Sequence, residues 1–499
     1  MSPKNILLIT TDQQHFSCLG ARNPVIKTPH LDRLVSEGAI FDRAYCPNPL
    51  CSPSRSTIIT GQYPSTHGCW TIGTKLDEDR PTLGGLLGSA GYATQLFGKA
   101  HFQPLASTPD QVSLEAPPVL RDLDFWAGFT GPYYGFDHIQ LARNHADEHH
   151  AGQHYALWME EQGLHDWRDY FQGPGGSGKR RHRWDLPEEY HYTTFVTDRT
   201  VEALESADPE RPFFTWASYQ DPHPHYLVPE PWASMYDPAD VLPGRLVDGE
   251  LDLMPPWFGK TQQENPDFSQ WQETPYSNHG FTSHLISEER LRQNIAVYYG
   301  MISFIDAGIG RLLDALDRQG LTDNTLVVFT TDHGHFIGQH GLIAKGAFHY
   351  EDLLKIPMIA RAPGDIPAGS TVTGLQSLID LAPTFLSVAG LPIPYDMQGM
   401  NQWPSWTGQD DQVRDHVLVE NRHQPSLVHI RTYVDERYKL TVYRGETYGD
   451  LFDLDEDPGE CHNRWDDPAY ADVKAEVMAR FLNAELVRES SRYPRIALA

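Results

Sequence analysis

Three short runs in a chain of 499 residues, NILLITT at 5–11, FFTWASY at 213–219 and TLVVFTT at 325–331, are almost wholly apolar or β-branched. A strand covered on one face alternates polar and apolar side chains. A run without alternation belongs in a sheet covered on both faces, the usual setting of parallel strands. Between the second and third runs, Leu291, Ile295, Ile302, Ile305, Ile309 and Leu313 recur at helical spacing, with Ser287 placed to cap a helix over 288–318 and Gly320 to stop it. A long helix feeding a buried strand is the α/β arrangement. TPHLDRLVSEG at 28–38, with Pro29 in its first turn, and TLGGLLGSAGY at 82–92 read as shorter helices. The expected fold class is therefore α/β, with a large central, mostly parallel mixed sheet flanked by helices.

From about residue 412 the pattern changes to short strands (HVLVENR, IRTYVDERYKLTVYR, DLFDL) and a terminal helix near 471–488. This predicts a catalytic domain over 1–411 and a smaller C-terminal α+β subdomain over 412–499, with a small antiparallel sheet. Within the first, 104–190 and 228–282 are rich in Gly, Pro, His and aromatics and read as elaborated loops, which in a compact enzyme are commonly functional.

The formal charge of −28 argues against nucleic acid or an anionic membrane as partner, because the long-range field repels both. The N-terminus MSPKNILLITTDQQ has neither the apolar length nor the cleavage site of a signal peptide, and no run approaches the ~20 apolar residues of a membrane span. The expectation is a soluble, cytoplasmic chain, with a homo-oligomer left open. Five irregularly spaced cysteines, Cys18, Cys46, Cys51, Cys69 and Cys461, suggest neither a disulfide scaffold nor a zinc pair.

Ligands of such sheets bind beyond the carboxyl ends of the strands, where DQQ at 12–14 and DHGH at 332–335 fall. Asp12, Gln13, Asp332 and His333 offer oxygen and nitrogen ligands to one divalent cation; each Asp alone reads equally well as a cap. Calcium is the expected ion, with manganese, magnesium and zinc as alternatives. In GYATQLFGKAH (91–101), Lys99 and His101 lie two apart, so an extended backbone would send both side chains the same way. DPHPHY (221–226) adds His223 and His225, and GLIAKGAFHYED (341–352) adds Lys345. Singly these are ordinary surface or structural residues. Together with Arg55 and a metal they make a pocket for a tetrahedral anion.

These stretches resemble the type I sulfatases of the alkaline phosphatase superfamily. CSPSRSTIITG (51–61) resembles the family's signature C-x-P-S-R-x-x-x-x-T-G and GYATQLFGKAH the second signature; Asp12, DPHP, Asp332, Lys345 and LFDLDEDPGE (451–460) follow in the family's order. The resemblance implies an alkaline phosphatase-like fold and hydrolysis of an alkyl, aryl or sugar sulfate ester. It implies that a maturation enzyme oxidises Cys51 to formylglycine, whose hydrate joins Asp12, Gln13, Asp332 and His333 on the metal. Arg55 would hold the hydrate, Lys99 and Lys345 the sulfate oxygens; His101 would be the base that breaks down the intermediate and His223 the donor to the leaving oxygen. Asp12-Gln13 stands where many members carry Asp-Asp, as in choline sulfatases, other bacterial sulfatases and phosphonate monoester hydrolases.

The rival reading is a phosphodiesterase or phosphonate monoester hydrolase, since the same pocket accepts tetrahedral phosphorus; an inactive anion-binding homologue with Cys51 as a thiol is the third. DHIQLARNHADEHHAGQH (137–154) reads as a solvated helix face, with a pocket or a subunit contact as alternatives. Tyr133, Tyr134 and Trp70 read as core or as rings that stack on substrate.

Overall fold

The computed structural model describes residues 4–143, 145, 151–171, 182–272, 279–423 and 427–489. Parts of the histidine-rich stretch (144 and 146–150) and of the two loop regions (172–181 and 273–278) lie outside the described residues.

The three buried runs are strands lying side by side. The central sheet comprises β1 (Asn5–Thr11), β2 (Ala39–Phe41), β3 (Ala93–Gly98), β4 (His138–Leu141), β5 (Phe213–Ser218), β6 (Thr325–Thr331), β7 (Met358–Arg361) and β8 (Ser370–Val372). Their order across the sheet is β8-β2-β7-β6-β1-β5-β3-β4. All contacts from β6 to β4 are parallel; β7 runs antiparallel to both β6 and β2, which makes the sheet mixed.

Every residue of β1 and β6 is buried because both faces are covered. Ile6, Leu8, Trp216 and Val328 point to one face, against Ile58 and Ile59 of α2 (Cys51–Thr60, which follows α1, Pro29–Glu37) and Phe385 of a later helix. Leu7, Ile9, Ala217, Val327 and Phe329 point to the other, against Phe195, Val196, Ile305, Ile309 and Leu313. Each such aliphatic side chain contributes roughly 1.5–3 kcal/mol on leaving water, so the alternation of faces along each strand sets the register.

The long helix spans Glu288–Arg318, with the Ser287 hydroxyl accepting from Arg290 N. It alone among the described residues has the length and hydropathy to cross a membrane, and 89% of its most apolar window is buried against the sheet. At the other end, β9 (Val417–Arg422), β10 (His429–Val434), β11 (Tyr438–Tyr443) and β12 (Gly449–Asp453) form an antiparallel meander. Leu418, Leu440 and Leu451 pack beneath Val477 and Phe481 of the terminal helix, Ala471–Val487. Its remaining apolar residues reach back: Val417, Val419 and Val434 join the main core, and Ile430, Tyr443 and Phe452 meet Trp257, Phe336 and Phe348. Glu420 N donates to Pro47 O, so the meander is tied to the chain just before Cys51.

Candidate active site

Three neighbouring parallel strands end together, and the site lies beyond those ends. Asp12 follows β1, Asp332 and His333 follow β6, and α2 aims its first residue, Cys51, at both. All ten residues of α2 are buried, and Gly61, in the left-handed region at φ 62°, closes the helix by donating to Thr57 O. The ligand atoms of Asp12, Cys51, Asp332 and His333 all lie within 4.8 Å of one another. Cys51 Sγ is 3.6 Å from Asp12 Oδ1, 3.2 Å from His333 Nε2 and 3.2 Å from Lys345 Nζ. Gln13, at φ 65°, donates its backbone N–H to Asp332 Oδ1, and its Nε2 lies 2.9 Å from His335 Nδ1. Its Oε1 is buried with no hydrogen-bond partner among the described residues. A stranded amide oxygen beside two carboxylates and an imidazole suits a hard or borderline divalent cation.

Arg55 is fully buried one turn into α2. Its Nε donates to Asp332 Oδ2 (2.8 Å), and its Nη1 to Lys99 O (3.0 Å) and to Ser218 Oγ (2.7 Å); Nη2 lies 3.5 Å from Asp12 Oδ2. Lys99 Nζ contacts Asp12 Oδ2. Lys345 Nζ is 3.4 Å from His333 Nε2 and 3.3 Å from His223 Nε2. Burial opposes ionisation of Asp12, but Lys99, His223, Arg55 and Lys345 outweigh it and hold the carboxyl well below its ordinary range. Burial and Asp12 push the Cys51 thiol up, Lys345 and Lys99 pull it down, and the balance is a lowered value. Burial, then Arg143, Lys99 and other cations, keep His101 well below the usual imidazole range. The arrangement is a buried site in which Arg55, Lys99 and Lys345 converge, suited to a tetrahedral anion.

Two expectations need correction. The 99–101 segment is not extended: β3 ends at Gly98 (φ 100°), and His101 takes a left-handed φ of 60°, because Glu115 draws its backbone inward. The histidine-rich stretch is not a solvated helix face at its described residues. It opens with the edge strand β4, whose carboxyl end delivers His145 to the site, 3.2 Å from Lys99 Nζ and stacked on His223 at 3.8 Å between ring centroids. His154 is structural, accepting from Leu141 N. Tyr133 and Tyr134 are core residues, hydrogen-bonded to Glu115 and to Leu76 O; Trp70 is half-buried beneath Arg422. His225 is exposed. Ser218 went unnoticed in the sequence, yet its Oγ accepts from Arg55 and donates to Lys99 O at 2.6 Å. Its place as the last residue of a buried strand was the available signal.

Residues 4–391 match the sulfatase family model, and 338–486 match the C-terminal model of N-sulphoglucosamine sulphohydrolase. The chain belongs to the sulfatase family. It is 28% identical to an arylsulfatase of Clostridium perfringens, over 98% of this chain and 95% of that protein. It is 27% identical to an N-acetylglucosamine-6-O-sulfatase of Bacteroides thetaiotaomicron, over 95% of this chain and 85% of that one. Among solved structures, the phosphonate monoester hydrolase of Silicibacter pomeroyi superposes with a TM-score of 0.80 at 25% identity, covering 98% of this sulfatase and 96% of that chain. The family and its sulfatase relatives support a sulfuric ester hydrolase.

Proposed function

We propose that this sulfatase cleaves alkyl, aryl or sugar sulfate esters with a formylglycine hydrate derived from Cys51. The observation that carries the reading is the setting of the Cys51 side chain: the first residue of a buried helix, within 3.2 Å of both Lys345 Nζ and His333 Nε2 and facing Asp12. In this reading the thiol sulfur stands where an oxygen of the hydrated aldehyde would lie.

Asp12, Gln13, Asp332 and His333 would hold one divalent cation, calcium in the first instance; the orphaned Gln13 Oε1 fits that role. The ion would supply charge neutralisation and acidify a hydroxyl at position 51. Lys99 and Lys345 grip the sulfate oxygens and Arg55 fixes the hydrate. One hydroxyl of residue 51, its proton already lost to solvent, attacks sulfur as the hydroxylate; the S–O bond to the substrate breaks, and His223 protonates the departing oxygen. His101 then removes the proton of the second hydroxyl, the aldehyde C=O re-forms, and the C–O bond to sulfate breaks. Water adds back to the aldehyde. A serine at this place would leave a sulfate ester needing a second attack at sulfur, whereas the geminal diol expels sulfate by C–O cleavage. Crowding of cations matches a loose, in-line displacement that depends on positioning and electrostatics.

The test is mass spectrometry of the peptide containing residue 51, from protein made together with a formylglycine-generating enzyme, alongside turnover of an aryl sulfate. An aldehyde that tracks activity is expected; a thiol throughout in active enzyme would sink the mechanism. The likeness to the phosphonate monoester hydrolase supports a second reading, action on phosphonate or phosphate esters. Ranking kcat/KM over aryl, choline and sugar sulfates and a phenyl phosphonate separates the two. The Lys99-x-His101 pair favours sulfate.

A further inference from the structure

His101 is the assigned base, yet among the described residues no hydrogen bond orients its ring: the residue is 3% exposed, and neither Nδ1 nor Nε2 has a partner there. The position of that imidazole is therefore set by its main chain, which is left-handed at φ 60°. For a residue with a β-carbon such a conformation costs about 1–3 kcal/mol and persists only where the surroundings impose it.

What imposes it is one carboxylate. Glu115, fully buried, accepts from three successive backbone N–H groups: His101 N on Oε2 at 2.9 Å, then Phe102 N and Gln103 N on Oε1 at 2.8 and 3.2 Å. The Tyr133 hydroxyl donates to Oε1 at 2.9 Å, and Arg143 Nε lies 3.3 Å from Oε2. Successive N–H groups converging on one anion form a nest, and a buried carboxylate is tolerable because its lone pairs are so fully used. The loop that supplies Glu115 is itself pinned to the turn: Leu114 N donates to Gln103 Oε1 at 2.7 Å and Ser113 Oγ to Pro104 O at 2.7 Å. The same turn carries Lys99, whose carbonyl receives Arg55 and Ser218.

We propose that Glu115 is the positioning residue of this site: by gathering the N–H groups of residues 101–103 it fixes the turn from which His101 meets the reacting centre, with Arg143 as its counter-ion. The role assigned to His101 rests on the reading above, whereas the grip of Glu115 on the turn does not. In Glu115→Gln an amide NH₂ replaces one oxygen and must face either backbone N–H donors or the Arg143 guanidinium, so the turn relaxes. A misplacement of about 1 Å costs on the order of 10²-fold in rate.

The test is a crystal structure of matured Glu115→Gln, together with kcat, KM, the aldehyde content at position 51 and Tm. The expected result, measured well below the lowered Tm of the variant, is a displaced 99–103 turn and a kcat about 10²-fold lower, with KM and aldehyde content near the parent's, and with a sulfated residue 51 building up during turnover. Tyr133→Phe, which removes one contact and leaves the three N–H bonds, should lose about 10-fold or less. Glu115→Asp, which keeps the charge, should recover part of the lost kcat. If Glu115→Gln leaves both the turn and kcat unchanged, the proposal is wrong; it is equally wrong if kcat falls only in step with aldehyde content. Should the matured parent hydrolyse no sulfate ester, the functional reading fails, and the position of the turn in Glu115→Gln still decides the role of Glu115.

Discussion

The two halves of the site are built differently. On one side, Asp12, Asp332 and His333 extend from the ends of adjacent parallel strands, and Cys51 begins a helix buried along its whole length. Their placement follows from β1–β6 pairing, in register from Asn5↔Thr325 to Thr11↔Thr331, and from the packing of α2 on the sheet. On the other side, His101, His145 and His223 sit on turns and segments beyond strand ends. The turn that carries His101 is gripped by Glu115, and the Lys99 carbonyl before it receives Ser218. A ligand set fixed by sheet register tolerates change around it, whereas a base held by its main chain depends on a single anchor.

The comparison can be broken at its strongest point first. Cys51→Ala removes the proposed nucleophile and should lower kcat by at least ~10⁴-fold with the fold intact by circular dichroism; near-parental turnover would refute the mechanism. Stripping divalent cations with a chelator should cost on the order of 10³-fold, reversed by calcium, manganese or magnesium in an order that names the ion. A chelator-insensitive enzyme would mean that Asp12, Gln13, Asp332 and His333 form a purely electrostatic cluster.

His101→Ala should cost ~10²–10⁴-fold and leave residue 51 sulfated, seen as a mass increment after rapid quench. Steady turnover without an initial burst would remove His101 from the second step. Ser218→Ala, which strands one Arg55 N–H, should lose roughly 10–100-fold, the range for a hydrogen bond to a charged group. A loss as large as that of His101→Ala would erase the distinction between a positioning group and a reacting one.

The last effect concerns stability and leaves the reacting groups untouched. His340 lies 3.2 Å from Glu250, in the 228–282 loop region, and 3.5 Å from Asp352, which in turn contacts His15 at 2.9 Å. Burial works against the imidazolium, but Asp352 and Glu250 hold its pKa raised to about 9 from an ordinary 6.5. The ion pairs therefore stabilise the fold fully below pH ~6.5, and the contribution fades as pH rises towards ~9, by about 3 kcal/mol at most. The Tm difference between parent and His340→Asn should shrink over that interval; a constant difference would show that the contacts are neutral hydrogen bonds.

Much of the candidate metal site was legible in the chain. Apolar runs without alternation announced β1, β5 and β6, and Asp12 and Asp332 stood directly behind two of them, where the chemistry of an α/β sheet gathers. The helix over Glu288–Arg318 was readable from its spacing and its Ser287 cap. Side-chain direction after a strand was not readable. Lys99 and His101 were placed by assuming that β3 continued, and the turn at 101–103 donates its N–H groups to a carboxylate at 115 that no local pattern marks. His145 was misread because a cluster of histidines looks solvated until the preceding four residues are known to be the edge strand of the sheet.

The sequence by itself determined the α/β class, the strands whose ends carry Asp12 and Asp332, and the helix over Glu288–Arg318, because periodicity and caps are local and each buried run has only one kind of place to go. Tertiary structure alone decided that Glu115, Arg143, His145 and Ser218 belong to the site. The contacts named for them join residues 12 to 163 positions apart, and only the folded chain brings such residues within hydrogen-bond reach.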